Sequence, residues 1–190
     1  MYLSEASVDL YAVRNPYEVH RLIWRLFPDR PDDERPFLFR VGEGRRGGTK
    51  RILIQSNAKP ARSAEGIHLL SEPKMYRPAL HAGQPLRFLL RANPVKRLKE
   101  ARCRVPLVKE EHQRAWLARK LDGAARLMDV RMSMREILYF YKKNKAGKIV
   151  TVTYEGFLDV VDPGRLMALL KTGIGPAKGF GCGLLSLARV

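Results

Sequence analysis

The sequence predicts an α+β chain of two tandem βαββαβ units, each ferredoxin-like and therefore RRM-like in skeleton. Three observations predict it. Strand-type runs and one strongly signalled helix follow the order strand, helix, strand, strand over the first half. The same order restarts at "PLRFLLRANP". The 190 residues are 45% hydrophobic, enough to bury a core in one domain or in two small ones. The expected boundary lies around Gly83 to Pro85, giving units at 1–84 and 85–190.

"YLSEASVDL" opens the chain as a strand. In "NPYEVHRLIWRLF", Asn15 can cap, Pro16 suits the first helical position and Glu18 completes a capping box, so a helix is expected over 15–27. "FLFRVG" and "RILIQSN" follow as two strands across a glycine- and arginine-rich turn. Between Lys59 and Gln84 only "GIHLL" and "MYRPAL" offer weak signals, for a poor helix and a closing strand, so the first unit is expected to be degraded near its second helix. In the second unit a strand at 86–92 leads through a basic connection into "VKEEHQRAWLARKLDGAARL", where Ala115, Leu117, Leu121 and Ala125 have helical spacing. "REILYFYKK" and "KIVTVTYEGFLDVV" are strands joined at "NKAG". A helix with Pro163 near its start, a glycine-rich loop and the strand "LLSLARV" complete the order.

The 36 basic and 19 acidic side chains leave a net charge of +17, which attracts polyanions, nucleic acid foremost. No run approaches the ~18 apolar residues of a membrane span, and "MYLSEASVDL" lacks the pattern of a signal peptide, so a cytoplasmic chain with no membrane partner is expected. Cys103 and Cys182 show neither metal nor disulfide spacing and read as buried or inert thiols. No metal or other cofactor is expected: Asp29, Asp32, Asp33 and Glu34 read as solvated loop charge, and no HxH, HExxH or CxxC pattern supplies ligands.

On the first helix Val19, Leu22, Ile23, Leu26 and Phe27 form the core stripe, while Tyr17, His20, Arg21 and Trp24 cluster on the other side, Tyr17 and His20 at i, i+3. With Arg21 and Arg25 near, this set suits metal-free RNA cleavage. The 2'-hydroxyl of RNA is an internal nucleophile that needs deprotonation, in-line alignment and a protonated leaving group. Histidine, with an ordinary pKa near about 6.5, exchanges protons at neutral pH. Tyrosine orients a hydroxyl, and a guanidinium offsets charge growing on phosphorus. Taken alone, the pair reads more readily as a solvated or capping histidine beside a surface tyrosine. His68, His81 and His112 read as structural.

Binding features are broader. Lys142, Lys143, Lys145 and Lys148 surround a hairpin tip that could lie along a duplex groove, and Arg131, Arg135 and the basic segment 96–104 add to the field. The loop "GIGPAKGFGCG" carries Gly175, Lys178, Gly179 and Gly181. It fits neither a P-loop nor a dinucleotide fingerprint, so its bare backbone serves either phosphate contact or tight packing.

Four blocks, "NPYEVHR" at 15–21, "LRFLLRANPVKR" at 86–97, "VPLVKEEHQRAWLARKL" at 105–121 and "GIGPAKGFGCGLLSL" at 173–187, resemble in content and order those of the CasE family, the repeat-RNA endoribonucleases of type I-E CRISPR systems. The resemblance spans nearly the whole chain. It implies two ferredoxin-like domains and metal-independent cleavage at the 3' base of the repeat hairpin, leaving a 2',3'-cyclic phosphate. It also implies retention of the product as a subunit of the Cascade complex. Carried over by position, His20 is the general acid or base and Tyr17 its partner at the 2'-hydroxyl. Arg25, where some members have lysine, keeps charge but not proton transfer and is an electrostatic helper. The basic hairpin at 142–148 and the loop at 173–183 match the family's RNA-docking elements. The chain is expected to be monomeric when free. The competing reading is a noncatalytic RNA-binding subunit whose "YFY" at 139–141 would supply a stacking surface.

Overall fold

A computed structural model of the protein describes residues 1–9, 13, 15–28, 35–44, 48–98, 103–142 and 145–190. The chain forms two compact units. The first comprises Met1–Pro78, Tyr139–Gly147 and Lys178–Gly181; the second comprises Ala79–Leu138, Lys148–Ala177 and Cys182–Val190.

The first sheet is built from β1 (Tyr2–Asp9), β2 (Phe37–Gly44), β3 (Thr49–Ser56), β4 (Ser63–Ala64), β5 (Ile67–Leu69) and β6 (Lys74–Met75). Its order is β2-β3-β1-β5-β4, with β6 also pairing with β1. β1 thus lies between β3 and β5, antiparallel to both, the strand order of a ferredoxin-like sheet. Helix α1 (Pro16–Trp24) follows β1. Its start is as the sequence dictates: Asn15 Oδ1 accepts from the Tyr17 amide at 3.1 Å, the Asn15 amide donates to Glu18 Oε2 at 3.2 Å, and Pro16 takes the first turn. The α-helix ends three residues before the expected 27. The amides of Arg25, Leu26 and Phe27 instead bond the carbonyls three residues back, so the last turn tightens. Val19, Leu22, Ile23, Leu26 and Phe27 nevertheless bury together against Phe37, Phe39, Ile52 and Ile54.

Two expectations for residues 59–84 need correction. "GIHLL" is no helix. It supplies β5, which pairs with β1 through Ala6 and Leu69, because Ile67 and Leu69 alternate with exposed His68 and bury on one face. "MYRPAL" contributes only its Met75 to the two-residue β6, after which the Tyr76 amide still donates to the Met1 carbonyl at 2.8 Å.

The second sheet consists of β7 (Pro85–Ala92), β10 (Ala125–Lys142), β11 (Lys145–Val160) and β12 (Leu185–Arg189), in the order β10-β11-β7-β12. The intervening β8 (Val95–Leu98) and β9 (Cys103–Pro106) make a separate hairpin where the sequence suggested a plain basic connection. Helix α2 (Glu110–Leu121) is shorter than its apolar pattern suggested: Ala125 opens β10, Ala115 is exposed, and Gln113, Trp116, Leu117 and Leu121 are the buried positions. Gln113 is satisfied by the Leu107 carbonyl at 2.8 Å. β10 begins ten residues before the expected "REILYFYKK". Helix α3 (Pro163–Thr172) is capped by Asp162, whose carboxylate accepts from the Arg165 amide at 3.0 Å. The core of this unit includes Phe88, Leu90, Leu158, Leu166 and Tyr154. The Tyr154 phenol donates to the Gln113 carbonyl at 3.3 Å and is held protonated well above its ordinary range by burial.

Candidate active site

Tyr17 and His20 stand one turn apart on α1 with ring centroids 5.4 Å apart. Both are half-buried, and His20 Nδ1 is closed off from solvent. The aromatic floor explains this: His20 lies 5.5 Å from the ring of Phe37, 6.5 Å from Phe39 and edge-on to Trp24 at 6.3 Å. At 100° per residue His20 falls at the margin of the core stripe, so its ring is fixed by packing on one side.

The glycine loop supplies the opposite wall. Lys178–Phe180 form a short 3-10 turn. A Cβ on Gly179 would lie 3.7 Å from His20 Cδ2, ordinary van der Waals contact, so this glycine faces the imidazole and leaves a methyl-sized space beside it. Phe180 sets its ring 5.6 Å from Tyr17 and 4.7 Å from Phe140. Gly181 has φ +79, and a Cβ there would stand 3.2 Å from Phe39, so this position needs glycine for both conformation and space. The tip segment joins the same cluster: Asn15 Nδ2 donates to the Tyr141 carbonyl at 2.6 Å. Of "YFY", Phe140 is half-buried toward Phe180, whereas Tyr139 and Tyr141 are 67% and 70% exposed. A helix carrying His20 and Tyr17, a glycine loop and a hairpin tip thus meet within the first unit.

The other candidate residues are placed differently. Arg25 is engaged by Glu65: its guanidinium donates to the Glu65 carbonyl at 2.9 Å and pairs with the Glu65 carboxylate at 3.2 Å. Arg21 is exposed on the helix, and Arg131, Arg135 and Lys148 are exposed on β10 and β11. Lys142 and Lys145 fall at the facing ends of these strands, and Lys143 lies outside the described residues, as do Asp29, Asp32, Asp33 and Glu34. Gly175 belongs to the second unit, where its φ is +79 and an added Cβ would stand 2.8 Å from Trp116, too close for any side chain, so the bare backbone packs against that ring. Among the described residues no group of three His, Cys, Asp or Glu side chains is arranged to hold a metal ion. No helix among them is long and apolar enough to cross a membrane. Cys182 is buried, its thiol pushed up to about 12 chiefly by desolvation, with Arg91 lowering and Glu136 raising it, whereas Cys103 is exposed, so of the two readings, buried or inert, burial applies to Cys182 alone.

The sequence alone does not single out the rings of Phe180 and Phe37. A phenylalanine inside a glycine loop beside a lysine is the one local signal that points to Phe180, since such a ring needs a partner.

A family model described as CRISPR associated protein matches residues 1–189. The chain is 42% identical over 199 residues to the CRISPR system Cascade subunit CasE of Escherichia coli, covering 99% of each chain. It is 38% identical over 190 residues to the CRISPR-associated endoribonuclease Cse3 of Thermus thermophilus, covering 92% of this chain and 90% of that protein. The crystal structure of Escherichia coli Cas6e superposes with a TM-score of 0.86 at 41% identity over the full length of both chains. Thermus thermophilus Cse3, bound to an RNA representing a pre-cleavage complex, superposes with a TM-score of 0.84 at 34% identity, again over the full length of both. With full-length matches in sequence and in fold, the chain belongs to the CasE family of CRISPR-associated proteins.

Proposed function

We propose that this protein is an endoribonuclease that cleaves CRISPR repeat stem-loop RNA at the 3' base of the stem without a metal ion, leaving a 2',3'-cyclic phosphate. It acts in the cytoplasm and stays on its product as a Cascade subunit, as the relatives named for RNA and Cascade suggest. The observation that carries the chemistry is the Tyr17–His20 pair, 5.4 Å apart, with Gly179 facing the imidazole. His20 exchanges a proton with the 2'-hydroxyl or with the departing 5'-oxygen. Tyr17 orients the hydroxyl for in-line attack, and Phe180 holds the tyrosine ring from behind. The backbone at Gly179 lets phosphate approach the imidazole closely, with Lys178 beside it. Arg25, engaged by Glu65, contributes charge to the region and no proton transfer. Arg21, Arg131, Arg135 and the lysines at 142–148 hold phosphates of the stem, reading its shape.

The test is incubation of wild type and His20→Ala with the repeat stem-loop in excess EDTA, following cleavage, binding and the product end. One cut at the 3' base of the stem by wild type, with binding but no cut by His20→Ala, is expected. Arg25→Ala should retain cleavage at a reduced rate. Binding without any cut by wild type, with or without magnesium, would make the protein a noncatalytic RNA-binding subunit instead.

A further inference from the structure

The second unit has a basic groove of its own. It encloses about 530 Å3 between β8 and α2, with Lys96 and Arg97 on one side and Arg119 and Lys120 on the other. All four side chains are exposed, and among the described residues none of them is paired with a carboxylate. His112, also at the rim, meets Glu111 at 3.7 Å. Across the small hairpin Arg97 stands directly opposite Arg104, a like-charge pair that weakens the hairpin unless an anion lies near it.

We infer that this groove is a second RNA site, taking the phosphodiester backbone of a single-stranded segment. The proposal rests on RNA being the protein's ligand, but not on cleavage. Trp116 lies at the floor only 3% exposed, stacked on Tyr154 at 6.4 Å and 18°, with Lys120 Nζ 6.0 Å from its ring centroid. Its faces are therefore spent on packing and a cation contact, leaving no platform for a base. The groove reads phosphates by charge, and so is indifferent to sequence. Two of the four cations are lysines, which protein interfaces disfavour in their cores, so an RNA strand fits better than an acidic protein surface. The two arginines offer forked guanidinium groups that match phosphate oxygens.

The experiment measures binding of a short oligouridylate to the full chain across a salt series, for wild type, Arg97→Glu/Arg119→Glu and the neutral Arg97→Gln/Arg119→Gln. Circular dichroism confirms the fold of each. Losing two phosphate contacts should lower the slope of log K against log salt by about 1.4, and weaken binding roughly tenfold or more at about 0.1 M salt. The neutral pair should lose a similar slope, which keeps the test open if charge reversal impairs folding. Wild-type affinity and slope in both variants would overturn the proposal. Unchanged oligouridylate binding together with lost assembly with other Cascade subunits would also overturn it, and would assign the groove to an acidic protein surface. Neither outcome depends on whether the protein cuts a stem-loop.

Discussion

The side-chain oxygen of Asn15 accepts from the Tyr17 amide while its Nδ2 donates to the Tyr141 carbonyl, so one residue both starts the helix that carries His20 and ties it to the hairpin tip. Asn15→Ala should cost about 1–2 kcal/mol, a cap plus one hydrogen bond, read as a lower urea midpoint at unchanged m-value. Asn15→Asp keeps the cap and loses the donor, and should recover only the first part. The capping half of this role was legible, because Asn-Pro-x-Glu signals a helix start through local spacing alone. The other half was not, since Tyr141 lies 126 positions along the chain and no local pattern encodes that contact. The same limit hid the ring of Phe180 between Tyr17 and Phe140, and hid the commitment of Arg25 to Glu65.

Among the elements, those with a single clear period were legible and those with mixed signals were not. α1 has a clean apolar stripe and a cap. α2 carries charge around most of its surface, so Ala115 and Ala125 match the core spacing while Trp116 and Gln113 take those places. β5 and β6 are three and two residues long, too short for a period to show. The glycine loop had two open readings: Gly175 packs on Trp116, as tight packing expects, and Gly179 faces His20, where phosphate contact belongs to the proposed function. Gly181→Ala forces a side chain into a left-handed backbone 3.2 Å from Phe39, and should cost about 1–3 kcal/mol with a matching fall in melting temperature. Gly179→Val, with no such backbone conflict, should leave the fold intact and weaken stem-loop binding and cleavage by crowding the imidazole. Wild-type affinity and rate in that variant would leave Gly179 a packing residue only.

For the whole molecule, the buried thiol links stability to pH. Cys182 is raised from 9.0 to about 12 in the folded chain, so the native state keeps its proton where the unfolded state releases it. Stability present below about pH 9 is therefore lost as pH rises toward 12, because the unfolded chain binds fewer protons. Burial of the Tyr154 phenol acts in the same sense. Chemical denaturation at about pH 7 and about pH 10 should show the decline, and Cys182→Ala should flatten the part owed to the thiol. A thiol reagent at neutral pH should modify Cys103 alone in the folded protein and both cysteines in urea. The tandem βαββαβ order was legible from the alternation of elements, and both sheets have the expected strand sequence around β1 and β7.

The helix bearing His20 is complete within the first 24 residues, yet its surroundings arrive as residues 139–147 and 178–181. During synthesis the chain therefore makes the proposed acid–base group well before the hairpin segment and the loop that wall it. A nascent chain halted before Lys178 holds the imidazole without Gly179 facing it or Phe180 behind Tyr17. On the proposed role of the loop, a chain not yet extended through Phe180 leaves a repeat stem-loop uncut even though its His20 helix is already made.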